Sequence, residues 1–152
     1  RLAAYENQIM GGTVYQLFQG RIEKGRSKLT TFAIQERDRG KKIYGYGAGN
    51  RGNTILQYLD AHSPVNLWLT AIADQNPEKW GRHTPGTNIP IISKEAMREA
   101  KPDYLLILAY FYLNGILESE KTYLANGGAF IVPIPTPRII RVENGETKTY
   151  PI

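Results

Sequence analysis

An α/β fold is predicted, with a mainly parallel sheet covered by helices on both faces. Short apolar runs of β character alternate with helical stretches from residue 41 onward, the order that right-handed crossovers require. The first of these runs ends in glycines that lead directly into a helix. A chain of 152 residues, 41% of them hydrophobic, can also bury roughly 68–70% of its unfolded surface, so one packed domain needs no covalent staple.

Residues 1–40 read as a leading helical segment. Thr13 to Arg39 contains no proline, and Val14, Tyr15, Phe18, Ile22, Leu29, Phe32, Ala33 and Ile34 fall mostly three and four apart. Gly20 and Gly25 interrupt this stripe at about 1 kcal/mol each relative to Ala, which allows a break near Gly25, and Gly40 is the stop signal. The α/β body follows over residues 41–137. Ile43 to Tyr46 is its first strand, Asn53 to Leu59 a helix, Val65 to Ala73 a second strand, and Asp74 to Asn88 a polar loop. Ile89 to Ile92 is a short apolar piece, after which Ser93 caps a helix through Ala100 with Glu95 in its first turn. Strand Tyr104 to Ala109, helix Leu113 to Ala125 closed by Gly127 and Gly128, and strand Ala129 to Val132 complete the body. Residues 138–152 read as a C-terminal hairpin appendage around Asn144-Gly145.

Composition narrows the chemistry. The absence of cysteine excludes disulfide scaffolds, thiolate catalysis and cysteine zinc sites, and two histidines, His62 and His83, make a poor metal site. No apolar run approaches the ~20 residues of a membrane span, and no signal peptide opens the sequence, so a cytoplasmic setting without membrane partners is expected. The sequence starts at Arg1 rather than Met and is expected to belong to a longer chain. The net charge of +5 lies wholly in residues 1–42, which hold nine Lys/Arg against four acids. Its clusters, Arg21 to Lys28 and Arg37 to Lys42, read as a solvated helix face. Nucleic acid is not expected as a partner, because no base-stacking module accompanies the charge.

The strongest chemical signal is Gly45-Tyr46-Gly47-Ala48-Gly49-Asn50-Arg51-Gly52-Asn53-Thr54 between the first strand and its helix. Gly47, Gly49 and Gly52 fit G-x-G-x-x-G. Counted instead from Gly45, nearest the strand end, the third position falls on Asn50 and the dinucleotide fingerprint is broken. Either way, free N–H groups at a helix N-terminus favour an anion, to which Arg51 can add a charge-assisted contact. Asp74 ends the second strand, where an acid can hold a ribose, but it also heads Asp-Gln-Asn-Pro, where it can cap its own turn, so both readings stand. Asn76 lies on the same loop. Tyr110, Phe111 and Tyr112 follow a strand end on the rim of the glycine turn, suited to packing or to stacking on a ligand ring. No catalytic constellation and no metal motif appears.

Taken in order, these motifs resemble a known family. Gly45 to Thr54, Ile72 to Lys79, Gly81, Thr84 to Ile91, Lys101 to Tyr104 and Gly127 to Pro135 together are similar to the C-terminal domain of S-adenosylmethionine-dependent C-methyltransferases of nucleotide-linked deoxysugars. The resemblance implies a Rossmann-like three-layer α/β/α domain with a long N-terminal helix and a C-terminal hairpin. It implies a nucleotide-sugar as ligand and an upstream methyltransferase domain of the same chain as partner. S-adenosylmethionine and a structural zinc would belong to upstream domains, with no cofactor and no catalytic residue here. Gly45, Gly47, Ala48, Arg51, Gly52, Asn53 and Thr54 would line a diphosphate-facing turn that also includes Gly49 and Asn50, with Asp74, Asn76, Tyr110 and Phe111 nearby. The chain departs from the family pattern at Arg51, where members commonly carry Lys, and at Tyr110-Phe111, where they carry Trp and a polar residue. Alternatives are an interdomain module without a ligand and a nicotinamide-dinucleotide-binding domain.

Overall fold

Apolar side chains that alternate along a strand can be buried on both faces only if helices cover both sides of the sheet. The computed structural model, which describes residues 12–152, shows this arrangement. In chain order the elements are α1 (Gly12–Asp38), β1 (Ile43–Tyr46), α2 (Asn50–Asp60), β2 (Leu69–Ala73), β3 (Ile91–Ile92), α3 (Lys94–Ala100), β4 (Tyr104–Ile107), α4 (Leu113–Ser119), α5 (Lys121–Ala125), β5 (Ala129–Val132), β6 (Arg138–Glu143) and β7 (Glu146–Pro151). One seven-stranded sheet has the order β3-β2-β1-β4-β5-β6-β7. Strands β1 to β5 run parallel, and β6 and β7 continue the sheet antiparallel. The 3-2-1-4-5 order of the parallel strands is that of doubly wound sheets, whose ligands bind where the order reverses, here between β1 and β4.

The two faces have separate cores. Leu106 and Ile131 point with Leu29 and Ala33 of α1 and Ile55, Leu56 and Leu59 of α2 into one. Leu105, Ile107 and Phe130 join Met97 of α3, Ile116 of α4 and Leu124 of α5 in the other.

Several expected elements shift. The first eleven residues of the expected leading segment, and the side chains of Val14, Tyr15 and Phe18 in its stripe, lie outside the described residues. Helix α1 runs without a break through Gly25, where an added Cβ would stand 3.2 Å from Pro137 Cδ, so that glycine admits a close neighbour rather than a kink. It ends as expected: Gly40 takes φ +85° and its N–H meets the Arg37 carbonyl at 2.8 Å. Of its basic residues, Arg21, Lys24 and Lys28 are exposed, while Arg26 lies over the Tyr58 ring. Val65–Leu67 forms a 3₁₀ turn before β2, with the Val65 N–H donating to Asp60. The expected helix over 113–125 is divided at Glu120, whose φ/ψ of −109°/23° depart from helical values.

Two buried polar clusters join distant elements. At one, the Tyr104 hydroxyl donates to Glu36 of α1 and accepts from Arg141 of β6 at 3.1 Å, tying the leading helix and the hairpin to the central sheet. At the other, the Tyr46 hydroxyl donates to Glu120 Oε2 at 2.9 Å, and Arg98 grips the same carboxylate with Nε at 3.1 Å and Nη2 at 2.6 Å.

Buried phenols give the fold a pH signature. Burial, and at Tyr46 also the Glu120 carboxylate, push the phenols of Tyr46 and Tyr123 well above the ordinary value of 10. A group raised in this way adds stability that is complete below pH ~10 and is lost as pH climbs through the higher folded value. The urea midpoint is expected to fall above about pH 10, less steeply in Tyr46→Phe and Tyr123→Phe. Equal slopes in all three proteins would contradict this assignment.

Candidate functional site

The glycine turn begins where β1 ends, at Tyr46, so Gly45 is inside the strand. A Cβ on Gly45 would stand 2.9 Å from Ile72 Cγ1, and the residue serves the core rather than a ligand. Gly47 makes the turn: its φ is +95°, its N–H donates to the Ala73 carbonyl at 2.8 Å, and a Cβ there would lie 2.9 Å from that of Ala109. Gly52 provides the close packing, since an added Cβ would meet the Gly47 carbonyl oxygen at 2.8 Å and Leu108 Cβ at 3.0 Å. Between them Gly49 is the N-cap of α2 and has nothing within 4 Å of a built Cβ. Gly47, Gly49 and Gly52 thus take the turn, cap and close-packing positions of the first of the two counts. The start of α2 carries neither a side-chain cap nor an acidic residue in its own first turn, so the positive end of its dipole is left to groups outside the helix.

Asp74 is committed to the turn. Its Oδ2 accepts the Ala48 N–H at 2.8 Å and its Oδ1 the Asn76 N–H at 2.8 Å, the geometry of the turn-capping alternative. Lys79 Nζ donates to the Ala48 carbonyl at 3.1 Å and stands 4.0 Å from Asp74 Oδ2. Both polar groups of Ala48 are thus held by the 74–79 loop. Asn76 accepts the Glu78 N–H with its side chain and shapes that loop.

A cleft of about 780 Å³ opens at the carboxyl ends of the strands. It brings together Gly47, Gly49, Asn50, Arg51 and Gly52 from the turn, Asp74 and Asn76 from the loop, and Phe111 from beyond β4. The other expected site residues do not line it. Gly45 and Ala48 are taken up as described, Asn53 is one residue further into α2, and the Thr54 hydroxyl bonds back to the Asn50 carbonyl at 3.1 Å. Tyr110 packs against both cores.

Sequence reasoning did not single out Tyr46, Lys79 or Lys94 as lining residues. No local spacing announces Lys94; the strand order β3-β2-β1 brings it there. Its Nζ sits 4.8 Å from the Tyr46 ring centroid, and the Arg51 guanidinium sits 4.6 Å from that of Phe111. Three cations, Arg51, Lys79 and Lys94, thus share the cleft with one carboxylate, Asp74. Among the described residues no group of three or more His, Cys, Asp or Glu could hold a metal ion, and no helix is long and apolar enough to cross a membrane.

Fold and site together define an open α/β domain with a cationic cleft at its topological switch point. Residues 3–135 match the family described as the C-methyltransferase C-terminal domain, and the chain belongs to that family. It is 37% identical over 131 residues to C-methyltransferase NovU of Streptomyces niveus, across 86% of this chain and 30% of that protein. The chain therefore spans only 30% of the length of this curated relative.

Proposed function

We propose that this domain receives the substrate of an S-adenosylmethionine-dependent C-methyltransferase acting on a nucleotide-linked deoxysugar, with Gly47 to Gly52 facing the diphosphate. The observation that carries this reading is the excess of cations at the switch point, three against a single carboxylate already bonded to backbone N–H groups. In such a site a diphosphate gains charge-assisted contacts and the positive end of α2.

The methyl donor, the chemical step and the structural zinc then belong to the upstream methyltransferase and zinc-binding domains, in a cytoplasmic enzyme. Zinc does not fit the donor set of this chain, which has no cysteine and two histidines. What this domain supplies is orientation: Arg51 on the phosphates, and the Asp74–Ala48–Lys79 contacts that keep the turn in place.

A second reading, a face that contacts the rest of the enzyme without a ligand, is favoured by the exposure of Phe111 and Tyr112, 42% and 68%. Calorimetric titration with thymidine diphosphate separates the two. Binding that weakens about tenfold in Arg51→Ala, the loss of one charge-assisted contact, is expected under the first reading. Silence of the wild-type chain toward the diphosphate would favour the second.

A further inference from the structure

Two of the cleft's cations are held by aromatic rings instead of carboxylates. Arg51 lies over Phe111 and Lys94 over Tyr46, and among the described residues neither has a carboxylate oxygen within 4.0 Å. An ion pair would fix a cation and cancel its charge. A ring face fixes it and leaves the charge available to a ligand.

The seat of Lys94 is itself rigid. Tyr46 is 3% exposed, and its hydroxyl donates to Glu120, which Arg98 holds with two bonds. A phenol that donates to a carboxylate also has a more electron-rich ring, which strengthens its hold on the ammonium. Lys94 moreover occupies the first residue of α3, just after its Ser93 cap, where the helix dipole disfavours a cation and favours an acid. Local helix stability therefore does not account for a lysine here.

We infer that Lys94 is a second phosphate-binding residue, seated on Tyr46, and that with Arg51 it makes the cleft selective for a diphosphate over a single phosphate. This rests on the proposed placement of the diphosphate at the glycine turn. A diphosphate offers a second phosphoryl group to the second cation, whereas a single phosphate held by Arg51 loses little when Lys94 is removed.

The test is calorimetry of the whole chain with thymidine diphosphate and thymidine monophosphate, using wild type, Lys94→Met, Lys94→Arg and Arg51→Ala. Thermal melts establish that each variant is folded. The expected result is a loss of about tenfold or more in diphosphate affinity for Lys94→Met. Monophosphate affinity changes less than about threefold, and Lys94→Arg restores diphosphate binding, since a guanidinium can use the same ring seat. Unchanged diphosphate affinity in Lys94→Met, beside a loss in Arg51→Ala, would overturn this inference and leave the proposed function standing. Equal losses for both ligands would overturn the selectivity. A wild-type chain that binds neither ligand would overturn the proposed function and this inference with it.

Discussion

Arg98→Met is expected to destabilise the folded chain by about 2–3 kcal/mol. Glu120 is the reason. Its side chain is 1% exposed, and both oxygens accept from Arg98, with the Tyr46 hydroxyl as a further donor. Removing one partner of a buried pair costs about 3–5 kcal/mol because the other charge is left uncompensated. The Arg98 side chain is 45% exposed, so water can enter the vacated position and lower that figure. Lys121→Met provides the contrast: its pair with Glu118 has side chains 71% and 76% exposed and should contribute within about 0.5 kcal/mol. Urea unfolding of both variants gives the comparison. The double variant Arg98→Met/Glu120→Gln should recover much of the loss, because the stranded charge has gone. If the double variant is as unstable as Arg98→Met, lost packing rather than charge explains the cost. The effect should also reach the cleft, since the same carboxylate anchors the tyrosine under Lys94.

That carboxylate also shows where the sequence was legible and where it was not. Strands β1, β4 and β5 could be read because each is a short, mostly apolar run that begins just after Lys42, Asp103 or Gly128, and the alternation with helices implied a parallel sheet. The break between α4 and α5 could not be read. Apolar spacing continues from Leu113 to Ala125, and the interruption arises from Glu120 meeting Tyr46, 74 residues away, and Arg98, 22 residues away. The start of β2 was misplaced for a similar reason: Val65 to Leu67 is as apolar as a strand, but the Asp60 side chain caps it as a turn. At the site, the glycine turn, Arg51 and the end of β2 were visible as local motifs. The role of Asp74 stayed open because only the fold brings the Ala48 N–H to it, and Lys94 was missed because its place depends on strand order. Glycine and helix-cap signals could be read locally, whereas the contacts created by the sheet, and the Asp60 cap on Val65, could not.

Gly52→Ala is the second large effect, and it tests the register of the turn directly. A Cβ at Gly52 would lie 2.8 Å from the Gly47 carbonyl oxygen and 3.0 Å from Leu108 Cβ. Neither neighbour can yield cheaply. The Gly47 peptide is anchored by its bond to Ala73, the next residue by Asp74, and Leu108 is fully buried. Helix α2 would have to lift from the sheet, and overpacking of this kind costs about 1–3 kcal/mol. Alanine's better helix propensity offsets up to about 1 kcal/mol, so a net loss of about 1–2 kcal/mol is expected in urea unfolding. Gly49→Ala should behave differently: a Cβ there meets open space, so stability falls only by the poorer capping of alanine. Under the proposed function ligand binding reverses the emphasis, because a methyl group at Gly49 would stand where the diphosphate approaches the backbone. If the fingerprint instead ran from Gly45, its third position would be Asn50, and Gly52→Ala would cost no more than Gly49→Ala. A wild-type unfolding midpoint for Gly52→Ala would therefore reject the close packing of α2 on Gly47 and Leu108 from which the Gly47, Gly49 and Gly52 register is read.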